Sequence, residues 1–266
     1  MMIDPRKTCL YIPPELKAFK LRLFERIGEK LGQVSRGDIK KLEELDDDII
    51  PVIGCTPELR PTIDAWVARG RDFIYWDRGY ARRVFATDLP VGENGGFYRW
   101  HVNAYQMRAI REGCSPDRWQ RLKTEVTPWK RSGSHIVVAE PSQTYMRLHR
   151  IEGWVERTIA ELKSLTDRRI VTRNKEMQRS GRKLHEDLNG AHALVTHGSN
   201  AAVEAVVMGC PVFVHPDSAA SLVGLTDLNQ IEAPIYPERQ PWLNSLAYHQ
   251  WDERELVDGT LWRMIQ

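Results

Sequence analysis

Four consecutive residues, His197-Gly198-Ser199-Asn200, bring together the ligand-binding chemistry that stands out most in this 266-residue chain. An apolar run, Ala193 to Thr196, precedes them. A helical stretch, Ser199 to Met208, follows and is stopped by Gly209, and Pro211 to Val214 is apolar again. The segment reads as strand, turn, helix and strand. In open α/β sheets, ligands bind beyond the carboxyl ends of strands, and this turn occupies such an end. Gly198 lets backbone approach a ligand closely. Ser199 can cap the helix and offer its hydroxyl, and free N–H groups at a helix start favour a phosphate. Glu204, five residues on, is placed to accept two hydrogen bonds from a ribose diol. A plain capped turn with a solvent-facing glutamate satisfies the same spacing.

Competing motifs are missing. No GxGxxG precedes a helix, no GxxxxGK[ST] forms a phosphate loop, and His197-Gly-Ser-Asn-Ala201 does not fit the GxSxG frame of a hydrolase elbow.

The elements that must position this turn read as an α/β chain. Strands are expected at 8–12, 49–54 and 72–76, with helices over 15–31 and from Thr56 to Arg69, and a helix then a loop over 33–48. Residues 79–105 are rich in Gly, Arg and aromatic residues and read as an elaborated loop or hairpin. The second half gives strands at 135–139, 169–173, 193–196 and 211–214. A long helix is expected from Tyr145 to Leu165, a short one from Leu184 to Asn189, and a Trp-rich helical tail from Pro241 to Ile265. The strand–helix rhythm predicts two Rossmann-like parallel-sheet domains facing a cleft: 1–130, then 131–240, with 241–266 packing back across both. The boundary is placed near 128–134, where Pro, Gly and charged residues cluster.

Composition narrows the class. Hydrophobic residues make up 42% and charged residues 28%, as in a globular protein with a real core. No apolar run approaches the roughly 18–20 residues of a membrane span, and the first residues lack the apolar region of a signal peptide. A cytoplasmic location is expected. The four cysteines lie far apart and read as buried thiols. The net charge of +2 conceals an asymmetry: residues 1–133 carry 24 Lys and Arg against 19 Asp and Glu, whereas the remainder carries 14 against 17. The mildly basic first half permits an anionic partner without demanding one.

The segment Asp187-Leu-Asn-Gly-Ala-His-Ala-Leu-Val-Thr-His-Gly-Ser-Asn-Ala-Ala-Val-Glu-Ala-Val-Val-Met-Gly-Cys-Pro-Val-Phe213 resembles the donor-binding segment of GT-B glycosyltransferases of the capsule and surface-polysaccharide branch. The shared pattern is a strand, a Ser-containing turn, Glu-Ala in the helix, then Gly-x-Pro-Val. Residues 135–265 follow that family's C-terminal half in order and spacing, whereas 1–130 share only the α/β rhythm. Nucleotide-sugar 2-epimerases have the same fold and a similar Ser–Glu arrangement.

The resemblance implies roles. His197, Gly198, Ser199 and Asn200 would face the donor diphosphate and Glu204 would hold the ribose. Arg173 and Lys175 would add positive charge or simply stand as exposed strand-end charges. His215 and Asp217, after the last strand, would line the cleft or form a polar turn with Pro216. A nucleotide sugar is then substrate, with no cofactor. An inverting transferase needs one base at the acceptor hydroxyl. Asp77, at a strand end, is the first candidate and His101 the second, with ion pairing to Arg78, Arg82 or Arg83 the alternative for Asp77 and loop packing for His101. Asp46-Asp47-Asp48 precedes a strand and reads as a solvated charge run instead of a metal site. Helix dipoles and basic residues can stabilise a leaving diphosphate without metal.

For the acceptor, Arg78, Arg82 and Arg99 are the candidate contacts. Arg82, Arg83, Arg99 and Arg108 interleave with Tyr80, Phe85, Phe97, Tyr98 and Trp100, which is the composition of a stacking-plus-phosphate surface for nucleic acid, or of a loop core solvated by arginines. The chain is short for a GT-B enzyme, as the phage DNA-modifying glucosyltransferases are compact, and an overall likeness to phage-encoded proteins makes a hydroxymethylated base in DNA one acceptor. The other readings are a 2-epimerase and a non-catalytic GT-B-shaped protein that binds nucleotide or nucleic acid. The oligomeric state is left open.

Overall fold

The computed structural model describes residues 3–15, 18–81 and 96–265, with backbone alone for 18–20. The chain forms two compact α/β units, Met1–Tyr105 with Leu246–Gln266, and Gln106–Ser245. Each is built on a Rossmann-like sheet.

The first unit holds a six-stranded sheet in the order β10-β5-β4-β3-β1-β2. Its strands are β1 (Thr8–Ile12), β2 (Gln33–Arg36), β3 (Ile50–Ile53), β4 (Ile74–Arg78), β5 (Tyr98–Val102) and β10 (Gln250–Trp251). The strands β2, β1, β3 and β4 are parallel. The strands β5 and β10 extend this sheet antiparallel, so it is mixed and not wholly parallel. Strand β2 replaces part of the helix expected over 33–48. It is an edge strand with one strongly apolar residue, Val34, so nothing in its pattern announces a buried element. One face of the sheet packs Leu10, Val52, Ile74, Trp76 and Trp100 against Leu23, Phe24 and Ile27 of the helix Ala18–Gly28. The tail adds Leu256, Leu261 and Trp262 to the same core.

The second unit holds a four-stranded parallel sheet, β7-β6-β8-β9. It comprises β6 (His135–Ala139), β7 (Arg169–Arg173), β8 (Ala191–Thr196) and β9 (Val212–Val214). All residues of β6 and β8 are buried, as expected for central strands covered on both faces. The long helix expected over 145–165 is two helices, Gln143–His149 and Trp154–Leu165. Left-handed backbone at Arg150 and Gly153 breaks it, and Gly153 supplies that conformation at low cost.

The division between units falls after Tyr105, ahead of the 128–134 stretch that looks like a linker. That stretch and the residue before it are hydrogen-bonded within the second unit: Thr127 N–H donates to the Val207 carbonyl (2.9 Å) and Lys130 N–H to the Gly209 carbonyl (2.7 Å). A Cβ on Gly209 would collide with the Pro128 carbonyl, so the glycine that ends the helix also admits this strap. The tail is not one helix. Gln240–Tyr248 leads from the second unit to the first, where β10 and the helices Glu253–Val257 and Thr260–Met264 follow. Trp242, Trp251 and Trp262 are all buried. Among the described residues, no helix is long and apolar enough to cross a membrane.

Candidate functional site

The turn after β8 stands at the carboxyl edge of the parallel sheet, where Thr196 Oγ1 donates to the Ala139 carbonyl at the end of β6 (2.6 Å). His197 is buried. Its ring stacks on His215, which follows β9, with 4.2 Å between centroids and 13° between planes. His197 Nδ1 shares a hydrogen bond with the Tyr145 hydroxyl (3.1 Å), and Trp154 meets the same ring edge-on. Tyr145 in turn stacks on His149, one helical turn away (4.0 Å). Ser142 fixes the start of that helix, its hydroxyl accepting the Tyr145 N–H (3.1 Å). Burial, reinforced by the positive charge His215 can carry, pushes the His197 pKa down to about 4, so the ring is neutral at pH 7.

Gly198 does not serve the purpose its sequence context suggests. A Cβ there would overlap the Tyr145 hydroxyl and lie 3.1 Å from Gln106 Nε2. The missing side chain makes room for these protein atoms, not for a ligand. Gln106 Nε2 donates to the Gly198 carbonyl (2.7 Å), and its Oε1 accepts the Ala219 N–H (3.0 Å). One buried carboxamide thus links the turn after β8 to the segment after β9.

Ser199 is half-buried, and its hydroxyl accepts the Ala201 N–H at 3.3 Å. Asn200 occupies the cap position of the helix Ala201–Val207 without a side-chain cap bond. Glu204 is half-buried in the first turn of that helix. The helix has seven residues and spans about 10 Å. His215 is exposed; its N–H donates to the His197 carbonyl (2.9 Å), and its Nδ1 accepts the Asp217 N–H (3.2 Å). Asp217 pairs with Arg108 at 3.0 Å, so that arginine stands at the strand-end cluster. An exposed imidazole, a hydroxyl and a guanidinium are donors suited to phosphate oxygens.

Arg173 lies elsewhere. Buried at the end of β7, it forms an ion pair with the fully buried carboxylate of Asp187, and its Nη2 donates to the Arg182 carbonyl (2.9 Å). Arg182 pairs with the same Asp187. A guanidinium held in this way ties the edge strand to residues 182–187 ahead of β8, so Arg173 is a buried ion-pair partner and not an exposed strand-end charge. Lys175 is exposed on the helix Lys175–Arg179 beyond β7, two strands from β8.

In the first unit, the antiparallel register of β4 and β5 sets Tyr75 opposite His101 and Asp77 opposite Arg99, so all four share one face of the sheet. Asp77 is ion-paired with Arg99 (3.0 Å) and accepts the Arg78 N–H (2.7 Å). This is an ion pair of the kind weighed against a catalytic role, with Arg99 as partner. His101 is 3% exposed and shares a hydrogen bond with the Tyr80 hydroxyl (2.8 Å), with His249 stacked on it. Burial, then the positive charge of His249 and Arg99, holds its pKa well below the usual histidine value. A neutral, enclosed histidine bonded to tyrosine is not positioned as a surface base. Arg99 is buried, and Tyr80, Tyr98 and Trp100 are core residues, which removes them from a nucleic-acid stacking surface. Arg78 is half-buried. Arg82, Arg83 and Phe85 lie outside the described residues.

The aspartates 46–48 are exposed. Lys7 pairs with Asp48 (3.0 Å) and Arg71 with Asp47 (3.3 Å). Among the described residues, no group of three or more His, Cys, Asp or Glu side chains is arranged to hold a metal ion.

Sequence reasoning missed Tyr145, His149 and Gln106. The first two carry a readable signal, aromatic residues four apart on an amphipathic helix. Gln106 carries none, because its partner Gly198 is 92 positions away.

No family model matches the chain, and no curated protein matches it. Among solved structures, it is similar to the beta Kdo 2,7 transferase of Thermosulfurimonas dismutans KpsC, at 14% identity and a TM-score of 0.49, covering 95% of this chain and 99% of that one. It is also similar to the beta Kdo 2,4 transferase of the same KpsC, at 10% identity and a TM-score of 0.48, covering 94% and 97%.

Proposed function

We propose that the chain is a glycosyltransferase that binds a nucleotide-sugar donor at the carboxyl edge of the β7-β6-β8-β9 sheet. The observation that carries this reading is the juxtaposition of His197 and His215 at the ends of adjoining strands, beside Ser199. Ligands of parallel α/β sheets bind at this edge, and the same stretch carries the sequence pattern of a donor site. In this reading Ser199, Asn200 and the exposed edge of His215 face the diphosphate, Arg108 supplies positive charge and Glu204 holds the ribose. His197 acts as the neutral, buried support on which His215 is stacked.

A second reading, a nucleotide-binding protein without transferase activity, is favoured by one finding. Neither candidate base is free: Asp77 is paired with Arg99, and His101 is enclosed with Tyr80. Thermal-shift titration with nucleoside diphosphates and nucleotide sugars tests both. Stabilisation that disappears in Ser199→Ala/Glu204→Ala supports the site, whereas stabilisation by no nucleotide overturns both readings. Release of nucleoside diphosphate on adding an acceptor separates them. Hydroxymethylated DNA and oligosaccharide are the two acceptors to compare, and release with DNA alone selects base modification.

A further inference from the structure

A pocket of about 310 Å³ lies in the second unit, lined by Val126, Trp129, Tyr236, Glu238, Arg239 and Gln240 among others. It shares no residue with the strand-end cluster. We propose that it is a carbohydrate-binding site that takes a pyranose ring of an oligosaccharide. Its volume falls at the lower end of small-ligand sites, roughly 300–1,000 Å³.

The aromatic walls are fixed before any ligand arrives. The Trp129 indole N–H donates to the Pro237 carbonyl (2.9 Å), which sets the ring's orientation. The Arg239 guanidinium lies over the Trp129 ring at 4.2 Å and is itself held by the Val206 and Thr127 carbonyls (2.6 and 2.8 Å). Tyr236 meets Trp129 nearly at right angles, 6.1 Å between centroids, with Arg131 over its own ring at 4.7 Å. Two half-buried rings held at 74° make a rigid corner, so little ordering entropy is lost on binding.

The polar groups then choose among ligands. Glu238 Oε1 accepts the Gln240 N–H (2.7 Å), and Gln240 Nε2 donates to Asn244 (2.7 Å). Those bonds leave a second carboxylate oxygen and an amide oxygen, both acceptors, on residues that line the pocket together with Tyr236. A sugar presents hydroxyl donors around an apolar C–H face, which matches acceptors set beside aromatic rings. A proline-rich peptide needs donors for its carbonyls, and the indole N–H that would serve is already committed to Pro237. A phosphate would meet the Glu238 carboxylate.

Saturation-transfer NMR on the full chain tests the assignment, with cellotetraose, maltotetraose, chitotetraose and decaproline each at about 1 mM, the regime of a weak contact. The expected result is transfer to ring protons of at least one oligosaccharide, weakened about ten-fold by Tyr236→Ala and by Glu238→Ala. Trp129→Phe, which keeps an apolar wall, serves as a third variant, and melting curves confirm that each is folded. Transfer to none of the three sugars, transfer to decaproline alone, or transfer undiminished in a folded Tyr236→Ala/Glu238→Ala variant overturns the proposal. Nucleotide titration of the same variants reads the donor site separately.

Discussion

The ring of His197 lies flat against that of His215, 4.2 Å away, while the His197 carbonyl accepts the His215 N–H at 2.9 Å. Side chain and backbone therefore both join the ends of β8 and β9. The two rings sit in unlike surroundings: His197 is buried and His215 is exposed. A protonated His197 would be a desolvated charge facing a second imidazole, and this keeps it neutral.

That neutrality sets a pH dependence of stability. The folded pKa of His197, about 4, lies below the unfolded value of about 6.5. Between these values the unfolded chain binds more protons, so stability is full above about pH 6.5 and declines as pH falls toward 4. The depressed pKa of His101 acts in the same direction. Urea midpoints measured from pH 7.5 to 4.5 should fall steadily, and His197→Phe should shallow the slope. A wild-type profile that is flat over this range would contradict the depressed pKa values of His197 and His101.

Gly198→Ala should destabilise the second unit, because the added methyl meets the Tyr145 hydroxyl and Gln106 Nε2. Overpacking of this kind costs about 1–3 kcal/mol. Introducing Tyr145→Phe removes the nearest of those atoms. The double variant should recover part of the loss, although Tyr145→Phe alone forfeits the bond to His197, worth about 1 kcal/mol. Additive losses in a double-mutant cycle would show that the hydroxyl is not what requires glycine there.

The ion pair of Arg173 and Asp187 predicts unequal effects. Asp187→Ala strands a buried guanidinium, a change that typically costs about 3–5 kcal/mol. Arg182→Ala removes the half-exposed partner of the same carboxylate and should cost only about 1 kcal/mol or less. Chemical denaturation of the two variants gives the comparison. Equal losses would mean that the Arg182 contact accounts for the whole contribution of the carboxylate and that the buried pair with Arg173 adds nothing.

The strands at 8–12, 135–139, 169–173 and 193–196 were legible because each is a short apolar run bounded by Pro, Gly or charge. Edge strand β2 was not, since its residues QVSR are half in solvent and need no apolar alternation. The two-residue β10 was hidden for another reason: its identity depends on pairing with β5, about 150 residues earlier. The candidate site divides in the same way. Ser199 bonding to the start of the next helix is a local relation and can be read from spacing. The filling of the space beside Gly198 by Tyr145 and Gln106 is a tertiary relation, and a glycine in sequence does not reveal what occupies its missing Cβ. An ion pair at Asp77 could be expected from the nearby arginines, but its actual partner, Arg99, could not, because it comes from the adjoining strand β5.

Gln250 offers the sharpest test of how the tail completes the first unit. It is 1% exposed and pairs with Arg99 in the β10–β5 register. Its Oε1 accepts both the Tyr80 N–H (2.8 Å) and the Ala81 N–H (3.0 Å), the backbone that leaves β4. Removing that oxygen leaves two amides short of an acceptor, one of them on a buried residue. A buried donor without a partner costs about 1–3 kcal/mol, so Gln250→Ala should lose about 2–4 kcal/mol once the vacated volume is included. Gln250→Met fills the space but restores no acceptor, and it should recover only the smaller, packing part. If the methionine variant matches wild type in denaturant midpoint, the tail contributes through volume alone and the two hydrogen bonds are not what anchors it.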